Sequence, residues 1–113
     1  MPKYQMIVLS NPVAGREDEY NKWYTGVHVP DVLKVPGVVA AQRYKLAQSQ
    51  RGNKPSQWQY AAIYDIDAPD LKEVQAEIGR RANTPAMVLS DAIGKDTWAF
   101  VFEPITEKVV AKR

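Results

Sequence analysis

A four-stranded antiparallel sheet covered on one face by two helices, in the order β-α-β-β-α-β, is the α+β architecture that the sequence predicts. Three observations predict it. Apolar residues recur at helical spacing in two stretches, one containing Tyr20, Trp23, Tyr24, Val27 and His28, the other Leu71, Val74 and Ile78. Four short runs are rich in aliphatic and aromatic residues, as strands are. Clusters of turn-forming residues separate most of these runs. A chain of 113 residues suits one core and is too short for two. The expectation is therefore a single domain over 1–113, with 104–113 as a C-terminal arm.

The elements follow in order. Residues 4–9, YQMIVL, are apolar and read as the first strand, and SNPVAG after them reads as a loop. Glu17, Asp18 and Glu19 put negative charge into a first helical turn, where the helix dipole favours it. Pro30 cannot donate a backbone hydrogen bond, so this helix either ends near 27–29 or restarts with Pro30 as its first residue, continuing briefly over 31–35. After VPG at 35–37, residues 38–46 read as the second strand and the polar stretch AQSQRGNKPS as a hairpin connection or flap. In 58–66, Trp58, Tyr60, Ala62, Tyr64 and Ile66 share one face by the period of two, which gives the third strand an aromatic face. Asp67 is a candidate N-cap for the second helix, which tolerates Pro69 in its first turn and runs to about Arg81. A short helical turn is expected within 83–95, and 96–105 form the fourth strand, with Trp98, Phe100 and Phe102 on one face.

This order is the ferredoxin-like split βαβ arrangement, which leaves one sheet face without helices. Large apolar side chains on a bare face are costly in water, and a second copy packed face to face is the natural remedy, so a homodimer is expected. Apolar residues make up 45% and charged residues 25%, an ordinary globular composition. The net charge of +2, from 15 basic and 13 acidic residues mixed along the chain, is too weak to point to nucleic acid. No apolar run approaches the roughly 20 residues of a membrane-spanning helix. With no cysteine, disulfides, thiolate metal sites and cysteine nucleophiles are excluded, and a cytoplasmic location is the default expectation.

Residues 10–46, SNPVAGREDEYNKWYTGVHVPDVLKVPGVVAAQRYKL, resemble the dimeric α+β barrel superfamily, and within it the EthD-like and RedY-like (HapK-type) small proteins. The likeness is carried by the Asn11-Pro12 turn, the helix with Trp23-Tyr24 and His28, and Val35-Pro36-Gly37 before the second strand. The element order extends it over most of the chain, while 47–57 and 103–113 contribute nothing to it. The resemblance implies a dimeric barrel and a histidine from this helix directed into the cavity. It also implies a range of activities: cofactor-free monooxygenases, lactone isomerases, polyketide cyclases, lyases and proteins with no assigned activity. The RedY-like branch is tied to pigment and secondary-metabolite pathways. Fold alone does not choose among these.

Tyr24 and His28 are four residues apart and share a helix face. A histidine exchanges protons near neutral pH and a phenol donates to an oxygen that gains charge, a pairing suited to proton transfer at carbon next to a carbonyl. The competing reading is that His28 caps the last helical turn before Pro30. Trp23, Tyr60 and Tyr64 can wall a pocket for a flat aromatic ligand or simply fill the core, as can Trp58 and Trp98. Asn11 can bind a carbonyl oxygen or start a turn. Arg43, of opposite strand parity to Gln42 and Tyr44, can meet an anionic substrate or an ion-pair partner. Asp65 and Asp67 with one histidine make a poor transition-metal set, and no dinucleotide, Walker-type or nucleophile-elbow pattern is present. The expected function is cofactor-independent acid/base chemistry of the lyase, isomerase or cyclase kind on an aromatic or polyketide-like metabolite. The catalytic pair would be His28 and Tyr24, with Asn11, Trp23, Arg43, Tyr60 and Tyr64 binding substrate, and neither metal nor cofactor is expected. A cofactor-free monooxygenase of phenols or quinols and a non-catalytic binding module use the same residues.

Overall fold

The computed structural model describes residues 3–52 and 54–113. Strand β1 (Lys3–Pro12) is followed by α1 (Glu17–Trp23), a π-helical turn (Tyr24–His28) and α2 (Val29–Leu33). Then come β2 (Val38–Lys45), β3 (Tyr60–Asp67), α3 (Leu71–Arg81) and β4 (Ile93–Phe102). The sheet order is β2-β3-β1-β4 and every neighbouring pair is antiparallel. This is the ferredoxin-like α+β fold, with the first-to-last strand pairing that the element order predicts.

The helices cover one face of the sheet. Tyr60, Ala62, Tyr64 and Ile66 of β3 are buried in strict alternation, and their register partners on β1 are Ser10, Val8, Met6 and Tyr4. Residues directly opposite in a ladder share a face, so these two sets form one apolar floor. Tyr20, Tyr24, Val32, Val35 and Val74 close over it from the helical side and its connections. Each large apolar side chain so buried contributes about 1.5–3 kcal/mol. The opposite face carries Ile7, Leu9 and Ile63 with Trp98, Phe100 and Phe102, which the pairings Ile7↔Ile63, Ile7↔Phe100 and Leu9↔Trp98 place together. Among the described residues no helix covers it, and Phe100 is 55% exposed.

The sequence reading is corrected at five places. The first helix neither ends nor restarts at Pro30. Instead the Val29 N–H reaches back five residues to the Tyr24 carbonyl, and the chain runs from α1 through the π turn into α2 with Pro30 in the first turn of the last segment. Proline lacks the N–H that an α-helix would direct to residue 26, and one extra residue per turn relieves that conflict. The cap of α3 is Asp70, whose Oδ1 accepts from the backbone N–H groups of Lys72 and Glu73, and Asp67 remains in β3. Residues 83–92 contain no helix: Asn83, with φ of 62°, turns the chain, and bridges from Met87 to Ala82 and Thr84 hold it. Trp58 falls just outside β3, and β4 begins earlier than 96.

Gly37 shows why the VPG turn takes glycine at its third position. Its φ is +99°, and a Cβ there would lie 2.8 Å from Val74 Cγ2, so α3 is seated directly against this turn. Residues 46–52 and 54–59 form no regular element; Asn53 of the expected flap lies outside the described residues. Among the described residues no helix is long and apolar enough to cross a membrane.

Candidate functional site

The helix from Glu17 to Leu33 presents Tyr20 and Tyr24 to the sheet, where they meet the tyrosines of β3. Tyr20 packs edge-on against Tyr24 with ring centroids 5.5 Å apart and against Tyr60 at 5.1 Å. Its hydroxyl shares a 2.6 Å hydrogen bond with Ser10 Oγ at the end of β1. The Tyr60 hydroxyl donates to Glu17 Oε2 at 2.5 Å and accepts from Asn21 Nδ2 at 3.2 Å. Arg43, on the helix-facing side of β2, lays its guanidinium over three rings, 4.4 Å from the Tyr24 centroid and 5.4 Å from those of Tyr20 and Tyr60. A cation over aromatic faces is attracted by their quadrupoles, more strongly where water is scarce.

His28 closes the π turn at the outer edge of this cluster. It stacks on Trp23 at 4.7 Å and meets Tyr24 edge-on at 5.1 Å. Trp23 is itself fixed by the hydrogen bond from Nε1 to the Val88 carbonyl at 2.9 Å. Burial pushes the His28 pKa below its ordinary value, only partly opposed by Asp31, so the imidazole is neutral at pH 7. Its Nδ1 is buried and has no hydrogen-bond partner among the described residues. Burial also raises all four phenols: Tyr24 to about 12, and Tyr20, Tyr60 and Tyr64 upward, with Glu17 adding to the rise at Tyr60. At neutral pH these groups serve as neutral donors. The Tyr24 and Tyr64 hydroxyls are near enough to influence each other's ionisation, yet the Tyr64 hydroxyl makes no hydrogen bond of ordinary geometry.

Of the residues singled out from the sequence, His28, Tyr24, Trp23, Arg43 and Tyr60 therefore converge, and Tyr64 lies beneath Tyr24 as part of the floor. Asn11 does not join them. Its Nδ2 donates to the Gln57 carbonyl at 2.9 Å and its Oδ1 accepts from the Gln59 N–H at 2.7 Å, so both ends of the amide clasp the chain that leads into β3. Sequence reasoning missed Ser10, Glu17 and Asn21, which anchor the phenols. Tyr20, four residues before Tyr24, carried the same spacing signal as His28, whereas nothing local links Glu17 to Tyr60.

Two hollows open elsewhere on the surface. One, of about 280 Å³, is lined by Leu9, Tyr44, Leu46, Trp58 and Tyr60, and reaches the cluster only at Tyr60. The other, of about 550 Å³, lies at the opposite end of the sheet between Lys3, Asp65, Asp67, Phe102 and the arm residues Glu107 and Lys108. Gln5 Nε2 donates to Asp65 there at 3.0 Å. Among the described residues no three metal-ligating side chains gather.

Three solved structures share this fold over most or all of their length. An EthD-family protein of Bacillus halodurans superposes with a TM-score of 0.59 over 93% of this chain and 100% of its own, at 18% identity. The chain shares their fold. HapK of Hahella chejuensis matches at 0.60 over 99% of this chain and 100% of its own, at 14% identity. A dimeric ferredoxin-like protein of unknown function from Thermobifida fusca matches at 0.53, 14% identity, over 91% and 92%. No protein-family model matches the sequence, and no curated protein does. The EthD-like and HapK-type resemblance read from residues 10–46 thus reappears among the structural neighbours.

Proposed function

We propose that the protein is a cytoplasmic, cofactor-independent acid/base catalyst of the lyase, isomerase or cyclase kind, acting on a small aromatic or polyketide-like metabolite. The observation that carries this reading is His28: a neutral imidazole with an unengaged buried nitrogen, clamped by Trp23 and Tyr24 on a π turn. Turns of this kind occur frequently at functional sites. His28 takes the proton, Tyr24 supplies a neutral hydroxyl to the oxygen that gains charge, Tyr60, whose own proton goes to Glu17, orients the cluster, and Trp23 and Tyr64 wall the ring of the substrate. A binding module without turnover is the second reading. It is favoured by the burial of Tyr24, 2% exposed, and of Tyr64, 1% exposed, which keeps both phenols from solvent in the single chain.

Untargeted mass spectrometry of a host small-molecule extract incubated with the protein separates the two. Loss of one metabolite and gain of another makes it an enzyme; retention of a compound unchanged makes it a binder. Oxygen uptake coupled to the same conversion would instead assign a cofactor-free monooxygenase.

The assembly proposed is a homodimer through the bare sheet face, with Ile7, Leu9, Ile63 and Phe100 at its centre. Leaving these side chains in water forgoes about 25 cal/mol for each Å² that a second sheet would cover, and one structural neighbour is described as dimeric. Sedimentation at micromolar concentration is expected to give a dimer. Phe100→Glu puts a charge into each half of the seam and is expected to weaken association at least about tenfold, since a lost aromatic contact alone exceeds 1.4 kcal/mol. A monomeric wild type would remove the argument.

A further inference from the structure

Arg43 is a cation held inside an apolar layer with no carboxylate at ion-pair distance among the described residues. Its register partner on β3 is the buried Ala62, which directs it toward the helices. Nη1 donates to Thr25 Oγ1 at 2.9 Å. Nε and Nη2 are both buried and both without an acceptor. These two nitrogens form one edge of the guanidinium, with their N–H bonds parallel, and that edge matches a carboxylate through two parallel hydrogen bonds. The Tyr20 hydroxyl lies near the cation but is committed to Ser10 and makes no hydrogen bond of ordinary geometry to it. Aromatic faces offset part of the cost of taking the charge out of water and satisfy none of its N–H groups.

We propose that the vacant Nε–Nη2 edge of Arg43 is a receptor for a carboxylate, and that the natural ligand is an aromatic acid. The inference rests on the reading of His28 as the centre of the site, because Arg43 and His28 both pack on the Tyr24 ring. A ligand anchored by its carboxylate on Arg43 is thereby held against the same ring that positions the imidazole. Thr25, whose hydroxyl holds Nη1, is exposed, as is Gly26 beside it in the π turn. Lysine at 43 would keep the charge and lose the two-pronged edge.

The probe is benzoate, with benzamide as its neutral counterpart. In a ¹⁵N–¹H spectrum of the wild-type protein, the Arg43 Nε–H signal, assigned by correlation to its own backbone, is expected to move on titration with benzoate and to stay in place with benzamide. Arg43→Lys is expected to weaken benzoate binding at least about tenfold, the cost of losing charge-assisted hydrogen bonds. An Nε–H signal unmoved by benzoate, or moved equally by both compounds, overturns the proposal. The wild-type signal decides this whatever the variant does. Conversion of an extract metabolite without a benzoate response defeats the carboxylate receptor alone. A benzoate response without conversion upholds the receptor and defeats the catalytic reading of His28.

Discussion

Replacement of His28 by glutamine is expected to lower turnover of the substrate found in the extract by about 10²–10⁴-fold, the range that a positioned proton-transfer group contributes. Glutamine keeps a polar side chain of similar reach and cannot exchange a proton near neutrality, so folding is preserved while the chemistry is lost. The pH profile gives a second reading of the same group. Burial holds the imidazole below its ordinary pKa. If His28 is the base, the rate rises with pH through an inflection below 6.5 and is already flat at pH 7. A rate that instead falls as the pH rises through that region would make His28 the acid. Stability carries the same signature. In the window between the lowered native pKa and 6.5 the unfolded chain binds more protons than the folded one, so stability rises with pH there and is lost as the pH falls through it. His28→Gln is expected to flatten this slope in urea titrations between pH 5 and 7. An unchanged slope and an unchanged rate would return His28 to the role of a residue packed at the end of a helical turn.

Tyr20→Ala is expected to destabilise the fold by about 3–5 kcal/mol, as removal of a large buried aromatic ring does. The ring is 0% exposed and touches both Tyr24 and Tyr60, and its hydroxyl holds Ser10, itself 1% exposed. Against a typical total of about 5–15 kcal/mol, that loss brings the domain close to unfolding at ambient temperature. Tyr20→Phe separates the two contributions: it keeps the ring and strands the Ser10 hydroxyl, an expected cost of about 1–3 kcal/mol. Urea midpoints of both variants check this. A Tyr20→Ala midpoint within error of wild type would show that the tyrosine cluster is not part of the core, and with it would go the rigid seat assigned to Tyr24 and His28.

The element order and most boundaries were legible because hydrophobic periodicity is a local property. The alternation Tyr60, Ala62, Tyr64, Ile66 forces one face inward whatever the partners are, and the same rule places Trp98, Phe100 and Phe102 together. Local signals failed where two of them competed. Pro30 marked a helix break, but Tyr20 and Tyr24 before it and Val32 after it are all buried against one core, and the gain from seating them together outweighs a single irregular turn. The chain keeps one helical path and absorbs the proline as a π turn. Asp67 read as the cap of the second helix, but β3 continues through it in its pairing with Lys3 of β1, and the cap falls to Asp70 three residues on.

The site divides along the same line. By itself the sequence determined the four-strand, two-helix order and the shared helix face of Tyr24 and His28, since each follows from spacing within one element. Only the tertiary structure decided that Arg43 rests on three tyrosine rings drawn from two other elements. It likewise gave Tyr60 to Glu17, 43 residues away, and Asn11 to the backbone at Gln57 and Gln59. These are contacts between segments far apart in the chain, and which of them form depends on how the helices settle on the sheet, a matter of packing that no single stretch of sequence contains.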